Sequence, residues 1–211
     1  MSALRPMRWL AAMALAIGAA PAGAAALPAH TGSPSDAAPV PAGGTLRLAA
    51  LMATLAQRRV AEAHFQETQY LSILTQPLHS EGVLIYRAPD YLEQRVERPA
   101  PQDMIVQHGQ LTMQLGRRRR TVPLADYPQL APLLESLRAT LAGDGRQLQR
   151  LFEVRLSGTL EDWTLGLTPR GGALDAALSA IELHGTGTQI RTVRFRQRNG
   201  DHALLQIRSP P

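Results

Sequence analysis

The stretch that decides the fold is residues 82–115, which read GVLIYRAPDYLEQRVERPAPQDMIVQHGQLTMQL. Short apolar runs alternate in it with turn-forming segments, such as Ala88-Pro89-Asp90 and His108-Gly109-Gln110. Runs of this length, bounded by proline and glycine, are typical of β-strands. Connections this short join antiparallel neighbours. The stretch therefore predicts an antiparallel meander with strands at Gly82–Arg87, Tyr91–Glu97, Met104–Val106 and Leu111–Leu115.

Further strands are predicted on both sides of this meander. Residues 60–70 have no helical repeat and indicate a long, half-polar strand, and Thr121–Leu124 indicates a short one. After residue 151, apolar and polar residues alternate again, and Asn199-Gly200-Asp201 is a tight-turn sequence. This pattern predicts a second meander with strands near residues 152–157, 163–168, 181–184, 193–198 and 203–208.

Two helices are predicted from apolar stripes. The first begins at Thr45, a residue type that caps helices, and carries leucine and methionine at positions i, i+3, i+4 and i+7 up to about Arg58. The second spans about residues 127–142, and Gly143 is placed to end it. A short helical turn is expected at residues 145–151. The second stripe consists of Leu130, Leu133, Leu134, Leu137 and Leu141.

The order of elements predicts a mainly β fold of the α+β class. Strands and helices do not alternate regularly, so a nucleotide-binding α/β sheet is not expected. One curved antiparallel sheet, with two or three helices covering its concave face, would bury the leucine stripes.

The N-terminus has the three parts of a secretory signal peptide. Arg5 and Arg8 precede an uncharged stretch over residues 9–20, and small residues follow up to Ala26. The uncharged stretch is shorter than the roughly 20 residues of a membrane span; an uncleaved membrane anchor is the alternative. We therefore predict a signal peptide at residues 1–26, a flexible Pro/Ala/Gly-rich leader at 27–44, and a single domain at 45–211.

The composition excludes several functions. The chain has no cysteine, so we expect no disulfide, no thiolate metal site, no cysteine nucleophile and no lipid attachment. The net charge of +5 falls to +3 without residues 1–26, and aromatic residues make up 4% of the chain. A base-stacking surface needs more aromatic residues than this, so nucleic acid is not an expected partner.

No catalytic or metal-binding motif is present in the sequence. A Gly-x-Ser-x-Gly motif is missing, and the six histidines are dispersed. The carboxylate pair Glu161-Asp162 lies in a predicted turn, where solvated acids are common. We therefore predict a protein that is not an enzyme and has no catalytic residue, metal or cofactor.

The aliphatic residues of the sheet and helices predict either an acyl-binding cavity or a filled core; the sequence leaves both open. The sheet would supply one wall of the cavity and the second helix its lid. The predicted lining is Val83, Ile85, Met104, Val106, Leu111, Met113 and Trp163 from the sheet, with Leu133, Leu134 and Leu137 from the lid.

An arginine run at Arg117–Arg120 allows two interpretations. It is either a charged sheet edge that discourages pairing with other sheets, or a docking patch for anionic headgroups or an acidic partner. The candidate docking residues are Arg117, Arg118, Arg119, Arg120 and, outside the run, Arg87.

Several of these segments together resemble the LolA-like family of outer-membrane lipoprotein carriers. The resemblance rests on Phe65-Gln66-Glu67, on residues 82–89, on a strand ending before Pro99, on Ile105-Val106 and on Gly109. It is closest to a divergent branch of the family, some members of which are encoded beside lipid or polyene pigment biosynthesis genes.

The resemblance implies an unclosed β-barrel with a helical lid. It further implies a soluble, monomeric periplasmic protein that takes acyl chains of a lipoprotein from an inner-membrane release complex to an outer-membrane acceptor. Typical members have Arg directly before the proline, where it helps to latch the lid, whereas Ala88 stands there in this chain. The aromatic residues that follow the hairpin glycine in the family are also replaced, by Leu111, Thr112 and Met113.

Three functions follow from the sequence as hypotheses. The first is a periplasmic carrier of a lipoprotein or another lipid. The second is a lipid-sensing regulator that contacts a membrane protein. The third is a lipid hydrolase, for which no nucleophile paired with a base is visible.

Overall fold

The computed structural model describes residues 46–127 and 131–209, without the side chains of residues 131–133 and Ala173. The predicted signal peptide, the leader and the Thr45 cap lie outside these residues. Within the described part of the chain, none of the helices combines the length and apolar character needed to cross a bilayer.

Eleven strands of the described residues form one sheet in the order β6-β5-β4-β3-β2-β1-β11-β10-β9-β8-β7. Every pairing is antiparallel, and β6 and β7 are the two edges, so the sheet is not closed into a barrel. The strands are β1 (Val60–Tyr70), β2 (Leu78–Arg87), β3 (Tyr91–Arg98), β4 (Gln102–Gln107), β5 (Gln110–Leu115), β6 (Arg118–Pro123), β7 (Phe152–Gly158), β8 (Trp163–Pro169), β9 (Leu178–Thr186), β10 (Gln189–Gln197) and β11 (His202–Arg208).

The two predicted meanders are therefore β1–β6 and β7–β11. Strands β1 and β11, the first and the last along the chain, pair over most of the length of β1, from His64 with Arg208 to Tyr70 with His202. This pairing joins the meanders into one sheet, with β1 and β11 at its centre.

In the part of the chain that the structure describes, four α-helices accompany the sheet: α1 (Leu48–Leu55), α2 (Ala131–Ala142), α3 (Gly145–Leu151) and α4 (Gly172–Ala177). A 3-10 turn at Leu124–Asp126 precedes α2. Because α2 and α3 lie between the edge strands β6 and β7 in the chain, this segment runs from one edge of the sheet to the other. It packs with α1 on the sheet face that carries Tyr86, Leu165 and Val193, which we call the inner face.

The predicted fold class is confirmed, and the differences are local. Strand β6 begins at Arg118 instead of Thr121, because exposed arginines on an edge strand leave no apolar pattern. Strand β2 begins at Leu78, and α4 was not predicted. Gly143 does end α2, with a φ of 74° that favours glycine.

Trp163 is fully buried in the core on the inner face of β8. Its indole Nε1 donates a hydrogen bond to the carbonyl of Gly187 at 3.1 Å. Its ring lies against the backbone of Gly185 on the neighbouring strand, where a Cβ atom would overlap both the ring and the Gln189 carbonyl. Glycine is therefore required at position 185 by close packing.

We expect Gly185→Ala to lower the free energy of unfolding by about 2 kcal/mol, because the added methyl group must displace the Trp163 ring. The matched control is Gly166→Ala on β8, where the nearest atoms to a new Cβ lie at 3.8 Å; its effect should stay within about 0.5 kcal/mol. Urea unfolding of both variants tests this, and equal effects would contradict the packing argument.

Candidate functional site

A cavity of about 150 Å³ lies between the inner face of the sheet and helix α2. Residues from β4 and from β10 both line it, although four strands separate these two in the sheet. The sheet is therefore strongly curved around this space. The lining consists of Arg58, Ala61, Ala63, Glu67, Leu84, Ile85, Tyr86, Leu92, Glu93, Gln94, Met104, Val106, Leu137, Leu141, Thr188, Ile190, Val193, Phe195, Leu205 and Ile207.

The register of β2 decides which of its apolar residues face the cavity. Leu84 pairs with Ala63 and Gln94, which both line the cavity, whereas Val83 pairs with His64 and Arg95. Since cross-strand partners point to the same side of a sheet, Val83 lies on the outer face. The expectation that Val83 lines the cavity is corrected accordingly.

Ile85 and its cross-strand partner Glu93 also contribute to the lining, although the register places both on the same side as Glu62 and Val83. Both Val83 and Ile85 are buried there beside a polar cluster. In that cluster the Tyr91 hydroxyl donates to Glu93 at 2.5 Å, and Arg95 donates to Glu93 at 2.7 Å. The inner positions of β2 are Leu84 and Tyr86, neither of which was among the predicted lining residues.

The other predicted residues divide between cavity and core. Met104, Val106 and Leu137 line the cavity. Leu111, Met113 and Trp163 belong to the packed interior but are outside that lining. Leu133 is within α2, and its side chain is not among those described.

A smaller space of about 30 Å³ adjoins the main cavity and is lined by Leu134 of α2. Leu137, Val193 and Phe195 line both spaces and form the partition between them. One of the three, Leu137, belongs to α2. A displacement of this helix away from the sheet would therefore join the two spaces.

Glu67 is a buried carboxyl group of the cavity lining, with 5% of its surface exposed. It accepts hydrogen bonds from Gln69 Nε2 at 3.1 Å and from Ser80 Oγ at 3.4 Å. Burial disfavours the ionised form and raises the pKa of Glu67 to about 7, although these two hydrogen bonds act in the opposite direction. The carboxyl group therefore changes its charge near neutral pH.

Glu93, Tyr86 and Gln94 are the other buried polar groups of the lining. Neither the Tyr86 hydroxyl nor Gln94 Oε1 has a hydrogen-bond partner among the described residues. At the end of the cavity near α1, half-buried Arg58 contributes a cationic group. Tyr86, Gln94 and Arg58 could not be identified as site residues from the sequence, since each lies in a segment assigned by its apolar neighbours.

The candidate docking arginines lie away from the cavity. Arg87 is exposed, with its guanidinium carbon 5.2 Å from the centre of the Tyr91 ring, a cation–π contact on the outer face. Arg117 is in the β5–β6 turn, and Arg118, Arg119 and Arg120 form the first half of edge strand β6, where all three are exposed. This position fits edge protection and leaves a docking role as a proposal.

A separate open groove of about 330 Å³ lies around β1, β2 and β11. Its lining includes Glu81, Glu97, Arg98 and Arg208. Charged groups of both signs make this groove unsuited to an acyl chain.

We expect Glu67→Gln to raise the free energy of unfolding at pH 8 by about 3 kcal/mol, since ionising this carboxyl in the folded state carries a penalty of that order. Below pH 4 both the folded and the unfolded chain hold the proton, so the gain vanishes. In the natural protein this group makes stability fall as the pH rises from about 4.5 to about 7.

Urea unfolding at pH 4, 6 and 8 measures this dependence. The matched control is Glu62→Gln, an exposed outer residue of the same strand, whose effect should be small at each pH. A gain for Glu67→Gln that is the same at all three pH values would exclude the titration of this carboxyl as its cause.

Three solved structures are similar to this chain at low sequence identity. A LolA superfamily protein from Nitrosomonas europaea has 7% identity and a TM-score of 0.41, with 79% of this chain and 94% of that chain covered. A DUF1329 family protein from Desulfovibrio piger has 12% identity and a TM-score of 0.45, with 77% and 90% covered. Mycobacterium tuberculosis lipoprotein LppX has 10% identity and a TM-score of 0.37, with 78% and 96% covered.

No curated protein sequence matches the chain. A family profile, described as outer membrane lipoprotein carrier protein LolA-like, matches residues 41–206 and so covers most of the sequence. The unclosed antiparallel sheet with its helices has the architecture that the sequence resemblance implied. The chain belongs to the LolA-like family of outer membrane lipoprotein carrier proteins.

Proposed function

We propose that this protein carries a lipid or lipoprotein between two membranes by holding its acyl chain in the cavity under α2. The observation that carries this proposal is the cavity itself, which is largely apolar and lies between the sheet and a helix at its open side. Binding would follow from transfer of the chain out of water, worth about 0.8 kcal/mol per buried CH₂ group. No covalent step is part of the proposed function.

The size of the cavity indicates that loading requires movement. Pockets that hold drug-sized ligands measure roughly 300–1,000 Å³, whereas this cavity measures about 150 Å³. It admits only part of an acyl chain as it stands. Displacement of α2, which carries Leu137 and Leu141 on the cavity side, would join the adjoining space and admit the rest.

The same movement would allow release. A chain buried under a fixed helix would stay bound, because each exposed CH₂ group costs free energy. We propose that a membrane-bound acceptor shifts α2 or replaces it as the cover of the acyl chain. In this scheme residues 1–26 direct export to the periplasm, and the cargo comes from an inner-membrane release complex.

We expect Leu84→Trp to weaken the binding of a fluorescent fatty acid at least tenfold, because the larger indole would occupy cavity space without adding charge. The matched control is Leu204→Trp on β11, which the register places beside Thr68 and Arg194 on the outer face. Fluorescence titration of both variants at equal stability tests the site. Equal affinities for the two would place the ligand elsewhere.

We expect ligand to move α2 away from the sheet. The chain has no cysteine, so two introduced cysteines carry spin labels without background. Labels at exposed Arg138 of α2 and exposed Gln206 of β11 should become more distant, or show a broader distance distribution, when fatty acid is added. The control pair, Arg155 of β7 with Gln206, should not change. Unchanged distances in both pairs at saturating ligand would rule out the moving lid.

A further inference from the structure

Two buried polar groups face the apolar cavity from neighbouring strands. Tyr86 of β2 is 4% exposed and Gln94 of β3 is 3% exposed, and both line the cavity. Apolar side chains surround them in the lining, among them Leu84, Leu92 and Met104. Polar groups placed this deeply normally have a hydrogen-bond partner.

The register brings these two side chains close together. Tyr86 pairs with Leu92, and Gln94 lies two residues further along β3 on the same face. Such diagonal neighbours have Cα atoms about 7–8 Å apart, a distance that aromatic and long side chains bridge. The Tyr86 hydroxyl and the Gln94 amide therefore lie in the same region of the cavity.

Their chemistry is complementary to a particular kind of ligand group. Gln94 Oε1 accepts hydrogen bonds, and neither it nor the Tyr86 hydroxyl has a partner among the described residues. Burial raises the pKa of Tyr86, so its phenol keeps the proton at neutral pH and can donate. A ligand group that donates to Gln94 and accepts from Tyr86 would satisfy both atoms at once.

We infer that Tyr86 and Gln94 form a hydrogen-bonding site inside the cavity for a lipid whose acyl chain carries a group that both donates and accepts, as a hydroxyl or a secondary amide does. The inference rests on the proposed lipid-carrying function and specifies the cargo further. An unmodified acyl chain would leave both protein atoms unpaired in an apolar space. Such a chain should therefore bind more weakly than one that carries the polar group.

Competition against a bound fluorescent fatty acid tests the inference with four probes. These are hexadecanoic acid, two hydroxyhexadecanoic acids with the hydroxyl near the carboxyl or near the methyl end, and an N-hexadecanoyl amino acid. We expect at least one hydroxylated or amide-linked probe to bind about tenfold more tightly than hexadecanoic acid. The probe that gains affinity distinguishes a hydroxyl from an amide as the source.

The double variant Tyr86→Phe/Gln94→Leu should remove this preference and bind hexadecanoic acid at least as well as the natural protein. Because both replacements substitute apolar groups for unpaired polar ones, the variant is expected to fold, which thermal unfolding verifies. Tyr70→Phe, an exposed tyrosine outside the cavity lining, is the control and should keep the preference.

The possible failures are distinct. If hexadecanoic acid binds and no polar probe exceeds it, or if the double variant keeps the preference, the inference is wrong and the proposed function stands. If no probe displaces the fluorescent fatty acid, or the fluorescent fatty acid itself does not bind, both are wrong.

Discussion

The inner face of the sheet has to be kept from water, and the rest of the structure follows from this constraint. Apolar side chains cover that face from β4 across to β8, as Met104, Val193 and Leu165 illustrate. Curvature brings distant strands around one space, and α1, α2 and α3 close over it. The helical segment can do this because it connects the two edge strands, so its path leads across the open side.

Inside this apolar face a few polar groups remain, and they give the cavity its chemical character. Glu67 has partners for its carboxyl oxygens but is deeply buried, and its charge depends on pH as a result. Tyr86 and Gln94 are buried without partners for their oxygens among the described residues. A core selected for stability alone would carry apolar groups at such positions. Their presence is more easily understood in a protein that binds a ligand there.

The sequence predicted the fold better than the site. Prolines and glycines mark the turns, and the leucine stripe of α2 marks its buried side, so the strands along the chain and the placement of the helices could be predicted. The inner side of β2 could not, because apolar residues occupy every position from Val83 to Tyr86 and the period-two signal is lost. Only pairing with Ala63 and Gln94 shows that Leu84 faces inward.

Two further features needed the tertiary structure. The arginines of β6 have no apolar alternation, since both of their sides are exposed at a sheet edge. The burial of Glu67 depends on strands that are far away in the sequence, and nothing in Phe65-Gln66-Glu67 distinguishes it from a solvated glutamate. Local patterns carry the period of an element, whereas burial is a property of the assembled sheet.

The pairing of β1 with β11 has a consequence for how the protein is made. These strands form the centre of the sheet but are separated by nearly the whole described chain. Contacts of such long range form late and slowly in folding. The first meander cannot complete its sheet until the last strand has been synthesised. The topology thus favours a nascent chain whose native sheet forms only once the C-terminal strand is available to pair with β1.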